Sequence, residues 1–229
     1  MLFIIDKNIP AEAKSNLTHF GELLEFSSEG ITYPQISNHP DIFFSKVDNT
    51  LYYSPNTPEE YIQLLISKGI KISKGSKPVG LKYPHSALYN AVITERFFIH
   101  NQKITDTNLM QSIGTRKIIN VKQGYCRCSL LPLKNISFIT SDEGINKKLL
   151  TEDLNILKVN PDGIILPGEE YGLFGGTSGI SGDRIFIVGN LNYFPEGNKV
   201  RDFLNNLNYE IIELYNGPLF DGGSILILE

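Results

Sequence analysis

The chain holds two cysteines, Cys126 and Cys128, on either side of Arg127. A thiolate beside a histidine is a nucleophile. The partner put forward by position is His85, since an imidazole takes or gives a proton near neutrality. Two soft ligands with His85 or His39 would instead suit a metal ion, but C-x-C without a second pair is a weak ligand spacing, and no metal is assigned. A third reading makes both sulfurs small buried apolar groups. If residues 126–128 are extended, both sulfurs face one side and Arg127 the other. Asp41 and Asp221 either grip a guanidinium or amine or close turns with their own backbone. Ser86, Thr177, Ser178 and Ser224 stand at comparable places and are candidates to hold a polar ligand. Gly175-Gly176 and Gly222-Gly223 either admit a ligand against the backbone or relieve crowding.

An internal repeat is what would position these residues. Ser86–Asn101 and Cys126–Ser141 each read as an apolar run, a short polar turn and a second apolar run, which predicts a hairpin. A helix candidate and one more strand follow each: Thr105–Ile113 with Lys117–Val121, and Asp142–Leu150 with Leu154–Val159. The same order recurs at Asp41–Val47 and Leu51–Ser54, where Thr57 caps a helix with Pro58 at its first position. It recurs again at Gly175–Ser181 and Arg184–Val188, with Gly197–Leu207 as helix and Glu210–Leu214 as strand. A split unit completes the set: the terminal strand Gly222–Leu228 has no partner after it, and Leu2–Asp6 has none before it. Pairing the two ends removes an exposed strand edge. The expected architecture is therefore α/β, five β-β-α-β repeats in a pseudo-fivefold propeller, one domain over 1–229, closed by the N- and C-terminal strands. In such a ring the hairpin entries converge on the axis. They are Asn38-His39-Pro40-Asp41, Tyr83-Pro84-His85-Ser86, Tyr125-Cys126-Arg127-Cys128, Phe174-Gly175-Gly176-Thr177-Ser178 and Phe220-Asp221-Gly222-Gly223-Ser224.

This arrangement resembles the pentein fold of the guanidino-group-modifying enzymes: arginine and agmatine deiminases, dimethylarginine dimethylaminohydrolase and the amidinotransferases. In motif, Phe220-Asp221-Gly222-Gly223-Ser224-Ile225-Leu226-Ile227 is similar to the Gly-rich strand that carries their nucleophilic cysteine. Where those enzymes place cysteine, this chain has Leu226 and Ile227, and Phe174–Ser178 offers no histidine. Neither aliphatic side chain can attack a guanidinium carbon, so the usual amidinohydrolase mechanism does not carry over. The resemblance implies a small polar ligand, guanidino, amine or amino-acid-like, in a central pocket. Divergent amidinohydrolase-type chemistry by Cys126 or Cys128 with His85 would be its catalytic version. The same fold class includes the non-catalytic translation initiation factor six family, so a protein-interaction or regulatory role is the alternative.

Composition narrows the partners. The net charge of −4 is spread along the chain, and no Lys/Arg run points to nucleic acid or an anionic membrane. No apolar run approaches the roughly 20 residues that span a bilayer. Met1–Asp6 lacks the basic start of a signal peptide, and two close cysteines make no disulfide framework. The expectation is a cytoplasmic protein without a cofactor, its oligomeric state left open.

Overall fold

The computed structural model describes residues 1–229, which form five three-stranded sheets. In each, the first strand runs antiparallel to the middle one and the third runs parallel to it. A parallel neighbour needs a crossover, and a helix supplies it in every unit. The first unit joins the chain ends: Leu226–Leu228 pairs antiparallel with Leu2–Asp6, Leu2 opposite Leu228, and Glu22–Phe26 completes the sheet. The second unit is Phe44–Val47, Thr50–Tyr53 and Ile72–Lys74; the third is Val92–Ile93, Phe97–His100 and Lys117–Asn120. The fourth is Leu130–Leu133, Ser137–Thr140 and Asn155–Lys158; the fifth is Ser178–Ser181, Arg184–Ile187 and Glu210–Glu213.

The middle strands carry unbroken apolar runs, such as Phe97-Phe98-Ile99 and Ile185-Phe186-Ile187, because both of their faces are buried. Their side chains build cores that straddle neighbouring units. Phe3, Ile5 and Leu17 pack with Phe186 and Leu214. Val92, Phe97 and Ile99 pack with Leu130 and Phe138, and Leu131 and Ile139 pack with Phe174, Ile185 and Val200. These apolar cores therefore cross the boundaries between units.

Local signals set the crossovers. Asp142 accepts from the Ile145 amide at 2.7 Å at the start of Glu143–Leu150, and Asp106 accepts from Asn108 and Leu109 at the start of Thr107–Gln111. Thr57 departs from expectation. The helix runs Glu59–Ser67, preceded by Pro58, and the Thr57 hydroxyl is buried without a partner. The larger departure is at the hairpin entries. Pro40–Phe43 and Cys126–Ser129 are single helical turns, and His85–Ala87 and Phe174–Thr177 are 3-10 turns. The expected strands therefore begin several residues later.

His100 ends a middle strand and is fully buried. One ring nitrogen lies 2.7 Å from the Thr105 hydroxyl and the other 2.9 Å from the Gly124 carbonyl oxygen. Burial pushes its pKa down from 6.5 to about 4. Between those values the unfolded chain takes up a proton that the folded chain refuses. Stability contributed by neutral His100 is thus complete above pH 6.5 and lost as pH falls toward 4, about 3 kcal/mol in all. Urea denaturation across this window should show the wild type losing stability more steeply than His100→Gln by that amount; parallel pH profiles would contradict it.

Candidate functional site

All five first strands wall a central channel of about 500 Å³. Ser45, Ile93, Leu131, Ile180 and Leu226 represent the five walls. Asp48 and Glu95, on the exposed hairpin turns, border its outer end, where Arg116 pairs with Asp48. The Lys46 ammonium donates to the Ile227 carbonyl at 3.1 Å. Asp41, Arg127 and Ser224 lie at its inner end, with Asp41 only 3% and Ser224 5% exposed.

A belt of hydrogen bonds passes through all five units around that inner end. The Asp41 amide donates to Gly223 O at 3.3 Å. The Asp41 carbonyl accepts from the Asn90 side-chain amide at 3.1 Å. Asn90 Oδ1 in turn accepts the backbone N–H groups of Arg127 at 2.7 Å and Cys128 at 3.2 Å. The Arg127 guanidinium donates to the carbonyls of Gly175 at 2.7 Å and Ser178 at 2.9 Å. Gly176 O then accepts from the Ser224 amide at 2.8 Å, on the chain's way into its last strand. The helical turns make this possible, because they point N–H groups and short side chains at the axis where extended strands would pair sideways. Close packing explains the glycines. A Cβ on Gly175 would stand 2.3 Å from Arg127 O, and one on Gly176 would stand 1.8 Å from Asp221 Oδ1. The paired glycines relieve crowding where the units meet.

Within the belt lies a buried polar cluster. Asp41 Oδ2 accepts from the Cys128 thiol at 3.1 Å and the Ser224 hydroxyl at 2.9 Å, while Asp41 Oδ1 has no partner. His39 Nε2 faces the Asp6 carboxylate at 3.8 Å, and its Nδ1 is also unpartnered. Asp221 accepts from the amides of Leu173 at 2.8 Å and Gly223 at 3.0 Å. Burial raises the carboxyl pKa of Asp6 and Asp221, with the His39 charge opposing it. Burial, reinforced by the Asp41 charge, drives the Cys128 thiol well above its ordinary value.

The sequence candidates separate in space. His85 is exposed on its 3-10 turn and packs beside Gly80, outside this cluster, so the structure does not bring it to a sulfur. The repeat alignment of the third unit was offset, because the axial residue there is Asn90, four positions after Ser86. Ser86 is buried but bonds the Tyr125 hydroxyl at 2.5 Å. Cys126 and Cys128 do not share a face: they sit in a helical turn, where two residues rotate the side chain by roughly 200°. Cys126 faces the core between the third and fourth units and donates to Gln123 O at 3.1 Å. Burial raises its pKa too. Thr177 closes its own turn by donating to Phe174 O at 2.8 Å, and the buried Ser178 hydroxyl is unpartnered. Asp41 and Ser224 do meet, as the convergence of entries required. Sequence reasoning missed Asn90, for which the only available signal was a polar residue just before an apolar strand, whereas His39 does lie at the axis where its entry placed it.

Five such units define the pentein fold, and comparison with solved structures agrees. DDAH from Pseudomonas aeruginosa complexed with citrulline superposes with a TM-score of 0.58 at 9% identity, over 93% of this chain and 91% of that one. An amidinotransferase from Microseira wollei gives 0.57 at 12% identity, over 93% and 87%. Agmatine deiminase from C. jejuni gives 0.56 at 10%, over 93% and 74%. A search of curated proteins by sequence finds no match. The chain belongs to the family of unknown function DUF6873, whose model matches residues 4–226. No helix is long and apolar enough to cross a membrane.

Asn90 joins three units through one side chain, so Asn90→Ala should cost about 3 kcal/mol, several buried groups losing partners at once. A lowered urea midpoint with an unchanged slope would show it; a loss under about 1 kcal/mol would remove Asn90 from the centre of the belt.

Proposed function

We propose that the protein binds a small cationic or zwitterionic molecule bearing a guanidinium or amine in its central channel. One observation carries the reading: Asp41, at the channel's inner end, keeps a carboxylate oxygen without a partner in a buried place, beside the Ser224 hydroxyl. An unpaired buried acceptor costs free energy, and a cationic donor satisfies it with a charge-assisted bond. Lys46 and Arg116, farther along the same channel, suit a carboxylate at the ligand's other end. The volume matches a small ligand. A structural neighbour complexed with citrulline, an amidinotransferase and an agmatine deiminase are consistent with that chemical class.

The reading is one of binding. Cys128 does not line the channel, and both thiols are buried and held protonated near neutral pH, so neither offers a ready nucleophile. Agmatine, L-arginine and L-ornithine, titrated by calorimetry, are the direct probes. At least one should bind saturably, and Asp41→Asn should weaken it at least tenfold, roughly the loss of one charged hydrogen bond. Equal affinity for wild type and Asp41→Asn, or no binding by any of the three, would refute it.

A further inference from the structure

We infer that His39, Asp41 and Cys128 form a site for a divalent transition-metal ion, with zinc the best match. A ring nitrogen of His39, a carboxylate oxygen of Asp41 and Sγ of Cys128 all lie within 4.8 Å of one another. The three side chains come from two helical entries of different units, and each is almost wholly buried: 1%, 3% and 3% exposed. Bonds of roughly 2.0–2.3 Å in a tetrahedral zinc site put ligand atoms about 3.5 Å apart. Cys128 Sγ and Asp41 Oδ2 already stand at 3.1 Å, so only His39 has ground to make up.

An orphaned atom points the same way. His39 Nδ1 is buried without a hydrogen-bond partner, a costly state that a metal ion relieves. The Asp6 carboxylate faces His39 Nε2 at 3.8 Å. A carboxylate behind an imidazole is the usual way its other nitrogen is oriented toward a metal. The local charge is unbalanced as well: Asp41 and Asp221 are both buried, and Arg127 is the one permanent cation beside them. A dication offsets that excess.

The donor set selects the ion. Thiolate with imidazole favours zinc, cobalt or copper over magnesium or calcium, which take oxygen ligands. Three protein ligands leave a fourth position. A water can take that position and complete the shell. On binding, Cys128 loses its thiol proton to solvent and a metal–sulfur bond replaces the Sγ–H···Oδ2 hydrogen bond. The site shares Asp41 with the channel but does not require any channel ligand.

The test is titration of the purified chain with Co²⁺ and Zn²⁺. One Co²⁺ per chain should bind with a thiolate-to-cobalt charge-transfer band and tetrahedral visible bands, and one equivalent of Zn²⁺ should abolish both. Cys126→Ser should keep the band. Cys128→Ser should lose it, and His39→Gln should weaken binding at least tenfold, with circular dichroism verifying that each variant is folded. Weak binding without a thiolate band, or a band that survives in folded Cys128→Ser, would overturn the site, as would no Co²⁺ uptake by the wild type. Should Cys128→Ser not fold, the His39→Gln titration decides alone, and unchanged affinity there overturns it. A wild type that binds an agmatine-class ligand, loses it in Asp41→Asn and takes up no Co²⁺ would sink the metal and spare the channel reading.

Discussion

Five chain segments enter their hairpins at one axis, and every backbone polar group they bring there must find a partner away from bulk water. That constraint organises the molecule. The belt through Asp41, Asn90, Arg127, Gly175, Gly176 and Ser224 meets it with side-chain amide, guanidinium and main-chain groups. An apolar axis would leave those carbonyls and amides unpaired, at a cost of about 1–3 kcal/mol each. The cores between units supply the hydrophobic drive, and the belt fixes how the units face one another. The glycines follow from the same demand, since Gly175 and Gly176 permit backbone contacts that any Cβ would obstruct.

The proposed ligand and metal sites use what the belt leaves over. It satisfies one oxygen of Asp41 and strands the other, and it buries His39 with one nitrogen free. On the outer side, a channel walled by all five first strands opens on Asp41. On the other, a small polar cavity touches His39. A carboxylate between a channel and a histidine–thiol pair can serve a cationic ligand from one side and a metal from the other. The neighbours of like fold are below 25% identical to this chain, so they speak to architecture, and its chemistry must be argued from its own residues.

Much of the architecture was legible in the sequence because periodicity and order are local. Apolar pairs of strands, a capped helix and a third strand recur, and Asp106 and Asp142 cap where a capping residue belongs. Pairing the terminal strands followed from edge satisfaction, and Leu2 does lie opposite Leu228. The site was less legible. Axial position depends on how many residues each entry spends in a helical turn, and four-residue turns leave no periodic signature. Cys126–Ser129 therefore read as extended, which turned Cys126 toward the wrong side. The longer third entry put His85 where Asn90 belongs. Asp41 and Ser224 were found because their entries carry no such offset.

Native-state hydrogen exchange tests the belt most directly. The account predicts that the amides of Asp41, Arg127, Cys128 and Ser224 exchange only with global unfolding, as slowly as Phe98, Ile139 and Phe186 in the middle strands. Exchange of those axial amides at loop-like rates, while the middle strands stay protected, would show that the units hold together without the belt and would contradict the account.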